Sequence, residues 1–329
     1  VDEFRPYVVH RFADGSKDWL FDGFLFLEFK DGSGRNYTVG YEKLNARRTE
    51  WEWLLDRIFE QGKSLSALDR CIGQEIKELG KPAFRHQIVL GLPEAIRGQK
   101  DWGEIDGREM DFSKEEDQIA ATKWYIGELV ERFKAAKYKH LELSGFYWVA
   151  EDTHHCAELT IPLSEYIHSE GKLFYWIPYW QAKGHEEWKR LGFDVAYQQP
   201  NHFFNHSIPD SRLDEACATA RRHGMAMEFE FDEKATAAIP NSSHDRMAAY
   251  INHFEKNDVF NSSAVAYYCG NRGVLTLDES DNPKDKALMD RLARIIQARR
   301  YLKYGIPMKN KTRVVAHRGF WHTDGSAQN

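Results

Sequence analysis

Three acidic side chains alternate along the apolar run Met225–Phe231: Glu228, Glu230 and, just beyond it, Asp232. Side chains of an extended strand point alternately to opposite faces. These carboxylates therefore share one face, and Met227, Phe229 and Phe231 share the other. If the apolar face packs on helices, the acids point into the interior of the fold, where a carboxylate is costly unless paired or used. Two outcomes follow: an internal salt-bridge network with Arg or Lys, or a crowded catalytic carboxylate site. A second run, Gly145–Asp152, ends with Trp148 and Glu151 at its mouth, and Glu28 follows Phe24 and Phe26 on an earlier run. A general acid, a nucleophile or base, and further carboxylates among aromatic rings make up the constellation of glycoside hydrolysis. Glu151 is the expected general acid and Glu230 the expected nucleophile or base. Glu28, Glu228 and Asp232 are the further carboxylates, expected to bind the substrate.

The partners for a sugar come from the same kind of position. Tyr179 and Trp180 close one apolar run, and Gln199, Asn201 and His202 close the next. Amide and imidazole groups suit hydroxyls, and ring faces suit the C–H face of a sugar. With Trp148, these residues form the expected substrate-binding set. The composition agrees: 10 Trp, 15 Tyr and 20 Phe make 14% of the 329 residues.

Other chemistries lack their signatures. No H-E-x-x-H, G-x-S-x-G, P-loop or G-x-G-x-x-G occurs, and the four cysteines, 71, 156, 217 and 269, have neither zinc nor redox spacing. No metal or cofactor is expected. The 45 Lys and Arg against 51 Asp and Glu give a net charge of −6, which lacks the basic footprint of a nucleic-acid binder. No apolar stretch is long enough for a membrane span. The first residue is Val1, and the expectation is a mature chain whose signal peptide has been removed, periplasmic or secreted.

The elements that position these residues alternate in period. Eight apolar runs read as strands: Tyr7–Phe12, Gly23–Phe29, Gln87–Leu92, His140–Trp148, Leu173–Trp180, Val195–Gln199, Met225–Phe231 and Ala264–Cys269. Helical patterns fall at Thr49–Gln61, Glu115–Ala136, Leu163–Glu170, His185–Leu191, Ser211–His223, Ser243–Lys256 and Pro283–Tyr304. This alternation predicts an α/β fold, a (β/α)8 TIM barrel over residues 1–304. The segments that follow strands are long and those that precede them short, which places long loops on the strand C-terminal face, where barrel active sites sit.

The runs Trp19–Phe26, Leu143–Trp148 with Glu151, Phe174–Tyr179, Gly192–Asn201 and Met227–Glu230 resemble a bacterial (β/α)8 domain family of polysaccharide-degradation systems in Bacteroidetes. The resemblance covers most of residues 1–303 and implies an exported, sugar-acting barrel without naming a substrate. The chain is also similar to the clan of retaining barrel glycosidases, whose acid/base ends strand four and whose nucleophile ends strand seven, but it lacks that clan's Asn-Glu pair on strand four. At the C-terminus, Arg313–Asn329, with His317-Arg318-Gly319, resembles the opening of a glycerophosphodiester phosphodiesterase. The resemblance implies that residues 305–329 are a linker plus the start of a second catalytic domain. Three functions follow: a glycoside hydrolase, a non-catalytic carbohydrate-binding barrel, or the accessory part of a phosphodiesterase fusion.

Overall fold

The computed structural model describes residues 2–154 and 156–305. Its centre is a seven-stranded sheet: β1 (Gly23–Phe26), β2 (His86–Leu92), β3 (Leu141–Trp148), β4 (Leu173–Trp176), β5 (Val195–Gln198), β6 (Ala226–Glu230) and β7 (Val265–Tyr268). Spatial order follows chain order, and every neighbouring pair is parallel. The helices longer than one turn among the described residues are α1 (Arg48–Phe59), α2 (Ser64–Leu79), α3 (Glu115–Ala136), α4 (Ala157–Ser169), α5 (Ser211–His223), α6 (His244–Lys256), α7 (Gly273–Glu279) and α8 (Pro283–Tyr304).

The sheet curls like half a barrel. Tyr147, Val149 and Ile177 form a small interior cluster on which Leu27 after β1 and Ala266 of β7 both pack. The barrel is not closed among the described residues, because β1 and β7 are both edges of the sheet. The expected first strand, Tyr7–Phe12, accounts for this. Arg5–Val8 is a single helical turn with Pro6 at its start, and Val9–Arg11 pairs antiparallel with Lys17–Trp19. The turn signal Ala13–Ser16, with Gly15 at φ +81°, folds the segment back on itself instead of onto the sheet. This hairpin and the residues after it still fill the core, where the Phe21 ring lies 5.1 Å from Tyr267 of β7.

Two helices were hidden by their sequences. α2 presents Leu65, Leu68, Cys71 and Ile72 to the core at helical spacing, although Gly73 interrupts it. α7 is too short for a periodic signal. The expected helix His185–Leu191 is only a 3-10 turn, His185–Glu187, between the left-handed Gly184 and Gly192.

One irregularity decides which side chains face inward. Between β2 and β3 the register shifts, with Ile88 opposite Leu143 but Val89 opposite Gly145. Ser144 is the extra residue of a β-bulge, and a bulge reverses the alternation beyond it. Leu143, Phe146 and Trp148 therefore face the helices, and Tyr147 and Val149 face the interior. Gly145 makes room for the bulge, since a Cβ there would fall on the backbone carbonyl of Leu173 in β4. Gly145→Ala should destabilise the protein by about 3 kcal/mol or more, because backbone cannot yield as a side chain can. Thermal or denaturant unfolding of the variant measures this. A loss below about 1 kcal/mol would mean that the strands separate without cost.

Candidate active site

The carboxylates of β6 face as the alternation predicts. Met227, Phe229 and Phe231 are buried in the main core, and the Phe229 ring lies 4.9 Å from Tyr250 of α6. Glu228, opposite Ala266, and Glu230, opposite Tyr268, lie on the interior face. Glu230 is only 2% exposed. Its Oε2 accepts hydrogen bonds from the Tyr250 hydroxyl and, at 3.1 Å, from the His202 backbone N–H. Glu228 is also buried and accepts no hydrogen bond among the described residues.

Glu151 joins them from the loop after β3. Its Oε1 accepts from Gln199 Nε2 at 3.2 Å, and its carbonyl accepts from the Tyr179 N–H at 3.3 Å. Burial pushes the Glu230 carboxyl up to about 7, against the Tyr250 hydroxyl and the His202 and Asn201 backbone N–H groups, which favour its anion. Burial raises Glu228 well above the usual carboxyl range, and the charges of Glu230 and Glu151 add to the rise. Burial also raises Glu151, Gln199 opposes it and Asp152 adds to it. Glu228 feels the charges of Glu230 and Glu151, and Glu230 feels that of Glu151, so the three form one cluster. No Lys or Arg forms an ion pair with any of them among the described residues, so the salt-bridge network considered from sequence is not what holds them.

Around the cluster lies a rim of tyrosines. Tyr41, exposed and stacked on Phe29 at 4.6 Å, feels the Glu151 charge. Tyr268, also exposed, feels Glu228 and Glu151 and lies edge-on to exposed Phe204, 5.7 Å away. Tyr147 is buried, and the charges of Glu151 and Glu228 join burial in favouring its protonated hydroxyl. Tyr179 is exposed and donates its hydroxyl to Asp152 at 3.2 Å. A cleft of about 440 Å³ lined by Phe203, Phe204, His206, Lys234, Ile239 and Ser243 opens beside this rim and shares Phe204 with it, but none of the three carboxylates lines it.

The substrate-binding set expected from sequence divides on this geometry. Tyr179 keeps an accessible ring, and half-buried Trp180 has one face covered by the Arg212 guanidinium, 4.6 Å from the ring centre. Trp148 does not: it is 1% exposed, turned outward by the bulge and packed edge-on to Phe174, so neither ring face is open to a sugar. His202 is also corrected. It is fully buried with Nε2 2.8 Å from Asp210 Oδ1, and burial lowers its imidazole to about 4. Its contribution is the backbone N–H on Glu230. Gln199 and Asn201 brace each other, with Asn201 Nδ2 donating to Gln199 Oε1 at 2.9 Å and Asn201 Oδ1 accepting from the Trp180 N–H at 2.5 Å. Asn201 holds φ +48°, a left-handed conformation that asparagine tolerates better than most residues. Asp232 caps the 3-10 turn Glu233–Ala235, accepting from the Lys234 N–H at 2.7 Å. Glu28 lies beyond β1 on the outward parity, 3.9 Å from Arg57 of α1, and burial raises its carboxyl.

Sequence reasoning missed Tyr41, Tyr147, Tyr250 and Tyr268. Only Tyr268 carried a signal, since it falls on the inward parity of β7 beside Glu230. Tyr250 belongs to a helix that reads as plain core.

A family model described as "Domain of unknown function (DUF4855)" matches residues 1–294. The chain belongs to the DUF4855 family. No curated protein matches this DUF4855 chain. Among solved structures it is similar to a "putative alpha-L-fucosidase" of Bacteroides thetaiotaomicron VPI-5482, at 12% identity and a TM-score of 0.42, covering 84% of this chain and 93% of that one. It is also similar to the carboxyl transferase domain of Rhizobium etli pyruvate carboxylase, at 12% identity and a TM-score of 0.36, covering 78% of this chain and 41% of that one.

The raised carboxyl of Glu230 has a stability consequence. From the ordinary range near 4.5 up to about 7, the native state holds a proton that the unfolded chain has released. Stability therefore falls as pH rises through that window, and the loss is complete above it. A rise of this size corresponds to about 3 kcal/mol. Glu230→Gln keeps an acceptor for Tyr250 and removes the charge, so it should gain stability relative to wild type at pH 8 and little at pH 4. Denaturant unfolding at the two pH values checks this. An equal effect at both would show that Glu230 is not held protonated by burial.

Proposed function

We propose that this DUF4855 chain is a glycosidase that hydrolyses an O-glycosyl bond of an oligosaccharide or polysaccharide. The observation that carries the reading is the cluster Glu151, Glu228 and Glu230: acids with no ion-paired Lys or Arg among the described residues, all raised by burial and Glu228 and Glu230 also by their acidic neighbours, beside exposed aromatic rings. Such a cluster is costly to keep for structure alone, and it supplies both protonation states that glycoside cleavage needs.

Glu151, the least buried of the three, has a raised carboxyl suited to protonating the departing glycosidic oxygen. Glu230 receives donors that favour its anion, which suits a nucleophile or base. Burial and the charges of Glu230 and Glu151 favour the neutral form of Glu228, which limits the negative charge beside Glu230. Tyr41, Tyr179 and Tyr268 offer ring faces to the sugar. In the retaining form of the reaction, Glu230 bonds to the anomeric carbon as the glycosidic C–O bond breaks and Glu151 gives its proton to the leaving oxygen. Water then attacks that carbon, Glu151 takes the water's proton, and the bond to Glu230 breaks.

A carbohydrate-binding domain without catalysis is the second reading, and the observation in its favour is the near-complete burial of Glu230. The proposed setting is periplasmic or secreted. A phosphodiesterase-like domain opening at residues 305–329 stays part of the proposal; its His317-Arg318-Gly319 run lies outside the described residues.

Kinetics on a panel of glycosides tests the assignment. Glu151→Ala should lower turnover by about 10²–10⁴-fold on poor leaving groups and much less on activated aryl glycosides, since only the former need a proton. Glu230→Ala should cripple both classes. Equal, mild losses in both variants would make these carboxylates structural, and binding without turnover by wild type would leave the carbohydrate-binding reading.

A further inference from the structure

A second cluster, outside the carboxylate site, joins the connection between β4 and β5 to the end of α5. His185, Glu186 and His223 bring one donor atom each to within 4.8 Å of one another. His185 Nε2 lies 4.0 Å from Glu186 Oε1, and His223 Nε2 lies 3.8 Å from the same oxygen. The two rings stand nearly perpendicular with centroids 5.8 Å apart. We propose that these three side chains bind a divalent transition-metal ion of the zinc type as a clip between this connection and α5.

Four observations support the clip. His185 Nδ1 lies 2.6 Å from the Ala182 carbonyl oxygen. That acceptor requires the proton on Nδ1, which leaves the Nε2 lone pair facing the cluster, the arrangement that orients a metal-bound histidine. The Glu186 carboxylate has no Lys or Arg partner among the described residues; its ion-pair neighbours are the two imidazoles. Both ends are anchored, since the Trp188 indole donates to the His223 carbonyl at 2.9 Å, and Gly184 before His185 sits at φ +89° where a Cβ would collide with Thr153. The connection also lacks the helix that its neighbours have, having only the turn His185–Glu187, so a cross-link has something to stabilise.

Two histidines and one carboxylate form a common zinc donor set, with a fourth position left for water. Zinc bonds of about 2.0–2.2 Å require the donors to close to roughly 3.3 Å apart. Glu186 is exposed and free to supply that movement, while the histidine side chains are 12% and 17% exposed and reachable from solvent.

Calorimetric titration of Zn²⁺ into untagged, chelator-stripped full chain tests the proposal, with thermal unfolding as a second readout. We expect one equivalent bound at micromolar affinity or better, and a rise in melting temperature on binding. Glu186→Ala, a change on an exposed side chain that leaves the fold intact, and His223→Gln should each weaken binding about tenfold or more. His168→Gln removes an exposed histidine that pairs with Asp194 at 2.8 Å elsewhere on the surface, and should change nothing. Overturning results are the absence of binding tighter than millimolar, or binding that survives both cluster variants. The first would mean that the three groups are only a carboxylate–imidazole contact, and the second that the metal sits elsewhere.

Discussion

Three carboxylates gathered in a desolvated interior, with no ion-paired Lys or Arg among the described residues, set the terms for the surrounding structure. Every group near Glu230 answers to that charge. Tyr250 reaches across from α6 to donate its hydroxyl, and the chain after β5 turns so that the His202 N–H points at the same oxygen. That turn is held in place by Arg246, whose guanidinium donates to the carbonyls of His202, Phe203, Asn205 and Ile208. An arginine spent on carbonyls rather than on the nearby acid is informative. A direct ion pair would hold Glu230 ionised and low, whereas neutral donors leave it near 7, where it can change state.

The same logic explains the loop after β5. Gln199 donates to Glu151 and to the Ile177 carbonyl, Asn201 bonds back to Gln199, and the Trp180 N–H is held by Asn201. Three strand ends are thereby tied into one polar layer above the sheet. Because each member has a partner, the layer is rigid, and Glu151 is aimed by it. The open edges of the sheet carry no such burden. The hairpin and Phe21 need only fill volume there, and irregular backbone does so without completing a barrel.

Much of the fold was legible because local signals and tertiary demands agreed. The sheet strands, the parallel alternation and several helices, α3, α5 and α8 among them, follow from hydrophobic period alone. The inward placement of Glu228 and Glu230 followed from strand parity, since β6 runs without interruption. The first strand was misread because the turn Ala13–Ser16 outcompetes sheet pairing, and a local hairpin closes at less entropic cost than a long-range contact.

The chain alone determined which residues could do chemistry: acids alternating on one strand, Glu151 at a strand end, aromatic rings in excess. Only the tertiary structure decided which of them meet. One inserted residue at Ser144 turned Trp148 into the helix layer and Tyr147 into the interior, and no local pattern announces a bulge that exists because Gly145 packs on Leu173 of another strand. Likewise Tyr41 and Tyr250 come from segments far apart in sequence, and nothing in their own neighbourhoods marks them as partners of Glu151 or Glu230. Periodicity reports which face a side chain takes, but contact between distant segments, and the desolvation that shifts a carboxyl, exist only once the sheet has curled.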